Sequence, residues 1–213
     1  MRRPTRNLCW AACLVLLLSG CGGNDVPGTP TMPTTGATEP APPPSSGSAE
    51  VPGFGAPKVD NPLDTSGPEA QPCELLTDAQ VNELLGTDIN ESRDDRSGPT
   101  CRWDSDGSQA ASVTVGFPTV TDNGLTAIYG AAKNQKYKFF KEMSPVRGYP
   151  AVAWDTTDET MTRGTCNVAA GTSDRSTVEA TVWLSQKNVG VKDPCEAAHQ
   201  VLDMVISNIQ ENK

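Results

Sequence analysis

The sequence predicts an α+β fold for residues 72–213: a single domain with a mainly antiparallel sheet of about five strands and helices packed on it, in the order α-β-β-α-β-β-β-α. Three observations lead there. Short segments of alternating apolar and polar residues recur between residues 101 and 184, the period of a half-buried strand. Stretches with helical periodicity open and close this region. The connections are too short for repeated parallel crossovers, which favours an antiparallel sheet covered by helices on one face.

The opening helix is "LLTDAQVNELLG", residues 75–86. Thr77 and Gln80 have capping-box spacing, Leu76 and Val81 form a hydrophobic staple, and Gly86 provides the stop. A charged loop follows. "CRWDSDG" and "AASVTVGF" then read as a hairpin, with Cys101 and Trp103 on one face and Ala111, Val113, Val115 and Phe117 on one face. "GLTAIYGAAKNQ" is the second helix, with Leu125, Ile128, Tyr129 and Ala132 as its apolar stripe. "GYPAVAW", "TCNVAA" and "STVEATVWLS" supply three more strands, the last with Val178, Ala180, Val182 and Leu184 inward. The final helix begins near Asp193 and runs to about Ile209, burying Cys195, Ala198, Leu202, Val205 and Ile209.

Residues 1–71 have a different composition. Arg2, Arg3 and Arg6 precede the apolar run "LCWAACLVLLL", too short to span a hydrocarbon core of about 30 Å and suited to an export signal, residues 1–20. "LSGC" at 18–21 looks like a bacterial lipobox, which implies cleavage before Cys21 and acylation of that cysteine. Two or more acyl chains would hold the protein stably on the outer, extracytoplasmic face of the cell membrane. Residues 21–71 are then a lipidated cysteine and a Pro/Thr/Gly/Ser-rich tether, with large apolar residues too sparse to offset the entropy of ordering it. A flexible chain of that length spans roughly 40 Å.

The formal charge is −9, and loss of the leader with its three arginines makes the remainder more acidic. With no basic patch, nucleic acid is not an expected partner.

Of seven cysteines, Cys9 and Cys13 leave with the leader and Cys21 is the lipidation site, so Cys73, Cys101, Cys166 and Cys195 remain. Export implies an oxidising compartment and two disulfides. Three connectivities exist; placement suggests Cys73 with Cys101 and Cys166 with Cys195, each tying a helix start to a strand. A four-cysteine zinc site is disfavoured because no two of them lie close in sequence, and no metal or other cofactor is expected.

The lipobox, the tether, "PCELLTDAQVNELLG", "CRW", "GYPAVAW", "TCNV" and the closing "DPCEAAHQVLDMVISNI" stand in an order that resembles the actinobacterial lipoproteins grouped as domain of unknown function 3558. That resemblance implies a surface lipoprotein with two disulfides and brings no catalytic residues with it.

The search for chemistry returns little. His199, the only histidine, stands four residues after Cys195, the spacing of a dyad on one helix face. A cysteine pointing into the core at a helix start is instead placed to reach a strand, leaving His199 at the rim. "DSDG" at 104–107 lacks the later ligands of a calcium loop and reads as a turn, and "DTTDE" at 155–159 reads as a solvated loop. Among Trp103, Trp154 and Trp183, the last falls on the strand face opposite Val182 and Leu184, beside Glu179 and Thr181, and is the candidate binding surface. The expected function is therefore non-enzymatic: a lipid-anchored envelope module that binds a protein, a lipid or a small ligand. An accessory or sensor-like subunit of a membrane complex is the alternative, and a hydrolase with an unfamiliar site is the remote one.

Overall fold

In the computed structural model, residues 50–107 and 110–211 are described, and all belong to one compact unit, Pro44–Lys213. The leader, Cys21 and the Pro/Thr-rich stretch to residue 49 lie outside the described residues. The elements run α1 (Ser66–Ala70), a 3-10 turn (Pro72–Glu74), α2 (Asp78–Leu85), β1 (Ile89–Asp94), β2 (Thr100–Ser105), β3 (Ser112–Gly116) and α3 (Gly124–Lys133). They continue with β4 (Phe139–Val146), β5 (Tyr149–Asp155), α4 (Thr160–Arg163), β6 (Thr165–Gly171), β7 (Thr177–Trp183), a second 3-10 turn (Gln186–Asn188) and α5 (Pro194–Glu211).

All seven strands form one antiparallel sheet in the order β1-β2-β3-β7-β6-β5-β4. Two meanders, β1-β2-β3 and β4-β5-β6-β7, are joined where β7 pairs with β3. The expected hairpin and three later strands are present, but two strands are additional. β1 replaces the charged loop: as an edge strand it half-buries Ile89 and exposes four central residues, so its sequence shows no apolar alternation. β4 is the opposite edge, and carries Lys141, Pro145 and an irregular register between Met143 and Val146, features that suit an edge and mask a strand.

The first face of the sheet is the main core. Trp103, Val115, Val168, Ala180 and their neighbours pack under α5, whose Ala198, Val201, Leu202, Val205 and Ile206 are all fully buried. Fully burying one such aliphatic side chain is worth about 1.5–3 kcal/mol, so this stripe holds the helix down. α2 is fastened to it by the predicted Thr77–Gln80 capping box and staple, with Leu76 and Val81 both buried. The Gln80 amide also exchanges hydrogen bonds with Asn208 of α5, at 3.2 and 2.7 Å.

The second face departs from the expectation of helices on one side only. α3 crosses it over β4–β6, where Leu125, Ile128 and Tyr129 pack with Val152 and Ala169. Consecutive apolar residues in β5 (Ala151, Val152, Ala153) and β6 (Val168, Ala169, Ala170) are the signature of strands covered on both sides. Gly171 makes the close approach: a Cβ there would stand 3.0 Å from Leu125 Cδ1.

The domain also begins earlier than its composition predicts. Residues 50–71, expected to belong to the tether, lie on the folded unit. Val59 and Leu63 are 6% and 5% exposed and join the main core. Three backbone groups fix the strap: Gly53 N–H donates to Thr126 Oγ1, Val59 N–H to Asp174 Oδ1 and Leu63 N–H to the Thr172 carbonyl, at 2.9, 2.9 and 2.8 Å. Two well-placed apolar residues suffice to order a stretch whose average hydrophobicity is low, because they bury in the core that the rest of the domain forms. Leu63→Ala is therefore expected to cost about 2 kcal/mol or more in urea denaturation, whereas a residue in a free tether would cost nothing measurable.

Candidate functional site

The chemistry-bearing residues separate into structural devices and one surface. Cys195 is bonded to Cys166 and Cys73 to Cys101, each pair with Cα atoms 5.0 Å apart. Both pairings match the placement argument, because Pro-Cys-Glu opens the 3-10 turn in one case and α5 in the other. Asp193 caps α5 by accepting from Cys195 N–H at 2.8 Å. The sulfur of Cys195 is thus committed, and His199 points elsewhere, with Nε2 2.9 Å from the Ser144 carbonyl. The spacing that resembled a dyad is a staple beside a half-buried histidine.

Among the described residues, Cys73, Glu91 and Cys101 bring metal-ligating atoms close together, but both sulfurs belong to the disulfide. Glu91 is occupied in accepting from Trp103 Nε1 at 2.9 Å. Asp155, in the predicted solvated loop, is 6% exposed and accepts from the backbone N–H and hydroxyl of Thr157. That makes it a turn-former rather than a free carboxylate. Asp106 of the "DSDG" turn accepts from Asn90.

What remains is the half of the second face that α3 does not cover. Register places Ser92, Arg102, Thr114, Thr181 and Asn167 in one transverse row from β1 to β6, and the row ends at Trp154 of β5, which already packs against the α3 cluster. Trp183 lies on the same face, 38% exposed, with the Arg102 guanidinium 4.9 Å from its ring centroid. Arg102 also holds Asp104 at 2.6 Å and donates to Ser112 Oγ at 3.0 Å. Of these, Ser92, Arg102, Thr114 and Trp183 line, together with Asp94, Arg96 and Thr100, an open depression of about 660 Å³. The Arg96 guanidinium beside Asp94 holds that carboxyl down, to about 2. Within the row Thr181 donates to Asn167 Oδ1 at 2.8 Å, while Thr114 Oγ1 and Trp154 Nε1 are buried without a partner among the described residues.

Deeper on this face is Glu179. Burial pushes its carboxyl up to about 7, a hydrogen bond from Thr177 opposing only part of the rise. Tyr137, stacked on Trp154 with centroids 4.7 Å apart, has its phenol raised by burial and then by Glu179. A second depression, about 980 Å³, lies between α2, α5 and the end of β7, with Leu85, Val113 and Met204 in its wall and Lys187 and Lys192 among its charged groups. Trp183 borders both depressions.

Alternation placed Trp183, Glu179 and Thr181 together on this face. It gave no sign that Glu179 is covered or that Arg102 reaches Trp183, because both depend on which strands become neighbours. The sequence position of Arg102 between two inward residues, Cys101 and Trp103, was the available signal.

Residues 16–208 match the family model described as protein of unknown function DUF3558. The chain belongs to this family. No curated protein and no solved structure matches it. The DUF3558 match takes in Cys21 as well as both disulfides, the depression around Trp183 and nearly all of α5. Among the described residues of this DUF3558 chain, no helix is long and apolar enough to cross a membrane.

Proposed function

We propose that the protein is a non-enzymatic, lipid-anchored lipoprotein of the cell envelope, held on the outer face of the membrane through acylated Cys21 and presenting the uncovered half of its sheet as a binding surface. The observation that carries this reading is Trp183, exposed on an open sheet face and engaged by Arg102. Tryptophan and arginine are the residue types that dominate contact energies, and an exposed large aromatic on a rigid sheet is a ready anchor. The lipobox-like "LSGC" and two disulfides support an exported, oxidising location.

The anchor is tested by Cys21→Ala, which is expected to move the protein from the membrane fraction to the soluble one, since the acyl chains supply the hold. Undiminished membrane association rules the anchor out. The binding face is tested by a photo-crosslinking amino acid at position 183 in cells, with the exposed Val120 and Val191 positions as controls. An adduct specific to position 183 supports the reading, and its absence overturns it. An adduct with an integral membrane protein would favour the accessory-subunit role over ligand capture.

A further inference from the structure

The depression around Trp183 has a lining that narrows the chemistry of its occupant. Its volume of about 660 Å³ lies within the range of small-molecule sites. Three ion pairs run along its β1–β2 side, Arg93 with Asp95, Arg96 with Asp94 and Arg102 with Asp104, at 2.9, 2.6 and 2.6 Å. Every guanidinium there is already matched by a carboxylate, in a chain whose formal charge is −9. An anionic ligand would have to displace a carboxylate from its arginine and approach an acidic protein. A cation would meet the same pairs from the other side. A wholly apolar ligand would strip water from charged groups and offer no hydrogen bonds in return.

A neutral, hydroxyl-rich ligand avoids all three penalties. Each hydroxyl both donates and accepts, so a vicinal diol can accept from the Arg102 guanidinium and donate to Asp104 without separating them. Both side chains are accessible, at 41% and 36% exposure. Trp183 adds a flat, partly exposed ring; the Arg102 guanidinium lies over one of its faces, so the C–H face of a sugar would lie against the other, with the ion pair at the ring's edge.

We infer that this face is a subsite for a neutral oligosaccharide, with Trp183 as the stacking platform and Arg102 and Asp104 as its hydrogen-bonding groups. The inference rests on the reading of this face as the binding surface and goes further by naming the ligand class. Its test uses the full chain with two neutral probes, chitotetraose and maltotetraose, and trigalacturonate as the anionic comparison. Binding is read from the tryptophan indole N–H signals by nuclear magnetic resonance and from intrinsic fluorescence. At least one neutral probe is expected to give a saturable shift of the Trp183 signal. The affinity is expected to fall about tenfold or more in Arg102→Ala and in Trp183→Ala, and only a few-fold in Trp183→Phe, which keeps a flat ring. Far-ultraviolet circular dichroism and a free-thiol assay confirm that each variant is folded; should Trp183→Ala fail to fold, Arg102→Ala and Asp104→Asn, each expected to weaken binding about tenfold, carry the comparison. Saturation by trigalacturonate alone, or no saturable shift with either neutral probe, overturns the inference. If crosslinking from position 183 still captures a protein in that case, the binding face stands and only the glycan assignment falls.

Discussion

Replacing Cys166 and Cys195 together by alanine is expected to destabilise the domain by about 3.5 kcal/mol, the chain-entropy value for releasing a loop of this size. The two residues are separated by 29 positions and both are almost completely buried. The bond joins the first turn of α5 to β6, near the middle of the sheet, so it fastens the helix that carries the fully buried stripe Ala198, Val201, Leu202 and Val205. Changing both cysteines avoids leaving a reactive thiol and adds a small void where the sulfurs were. In urea the midpoint should fall by roughly 2 M for an m value of the usual size. A loss under about 1 kcal/mol would mean that the reduced chain is already constrained, and that α5 is held by packing alone. The Cys73–Cys101 bridge closes a loop of similar size, with a separation of 28, but Cys73 is only half-buried, so its removal should leave less of a void.

Glu179→Gln is expected to stabilise the protein at pH 8 and to leave it nearly unchanged at pH 4. An unfolded glutamate loses its proton near its ordinary value of 4.5, whereas burial holds the proton on folded Glu179 up to about 7. Below pH 4.5 both states are protonated and the group costs nothing. Between about 4.5 and 7 the unfolded chain has released the proton and the folded one has not, so stability falls as pH rises. Above 7 both are ionised and the penalty is constant. Because the residue is half-buried rather than sealed, the penalty is about 1–3 kcal/mol, less than the full shift would give in a dry interior. Urea denaturation of the two proteins across pH 4–8 checks this. Parallel stability curves would show that Glu179 is solvated enough to ionise normally. Asp94, held down to about 2 by Arg96, acts in a lower window and is common to both proteins, so it cancels in the difference.

The elements that were legible are those whose signals are local. The capping box at Thr77 and Gln80, the alternation of Val178, Ala180 and Val182, and the buried stripe of α5 each follow from spacing along a few turns or residues. Edge strands were not, since an edge strand buries little and is stabilised mainly by its partner's backbone: β1, with Ile89 as its one partly buried apolar residue, has no pattern to read. The strap at 50–71 was hidden for a related reason. Val59 and Leu63 are ordered by joining a core most of whose residues, such as those of β6 and α5, lie about a hundred or more positions away in the chain.

The candidate surface divides in the same way. By itself the sequence determined the acidic charge, the even set of four domain cysteines, the α+β class and the face on which Trp183 stands, because composition and period-two geometry are properties of the chain alone. Only the tertiary structure decided that α3 covers one half of that face and leaves the other open, that Arg102 reaches the Trp183 ring, and that burial raises the Glu179 carboxyl. Those outcomes depend on β7 inserting beside β3, which brings residues about sixty to seventy positions apart into register. No local preference encodes that pairing; it is fixed by the burial that only the complete sheet provides.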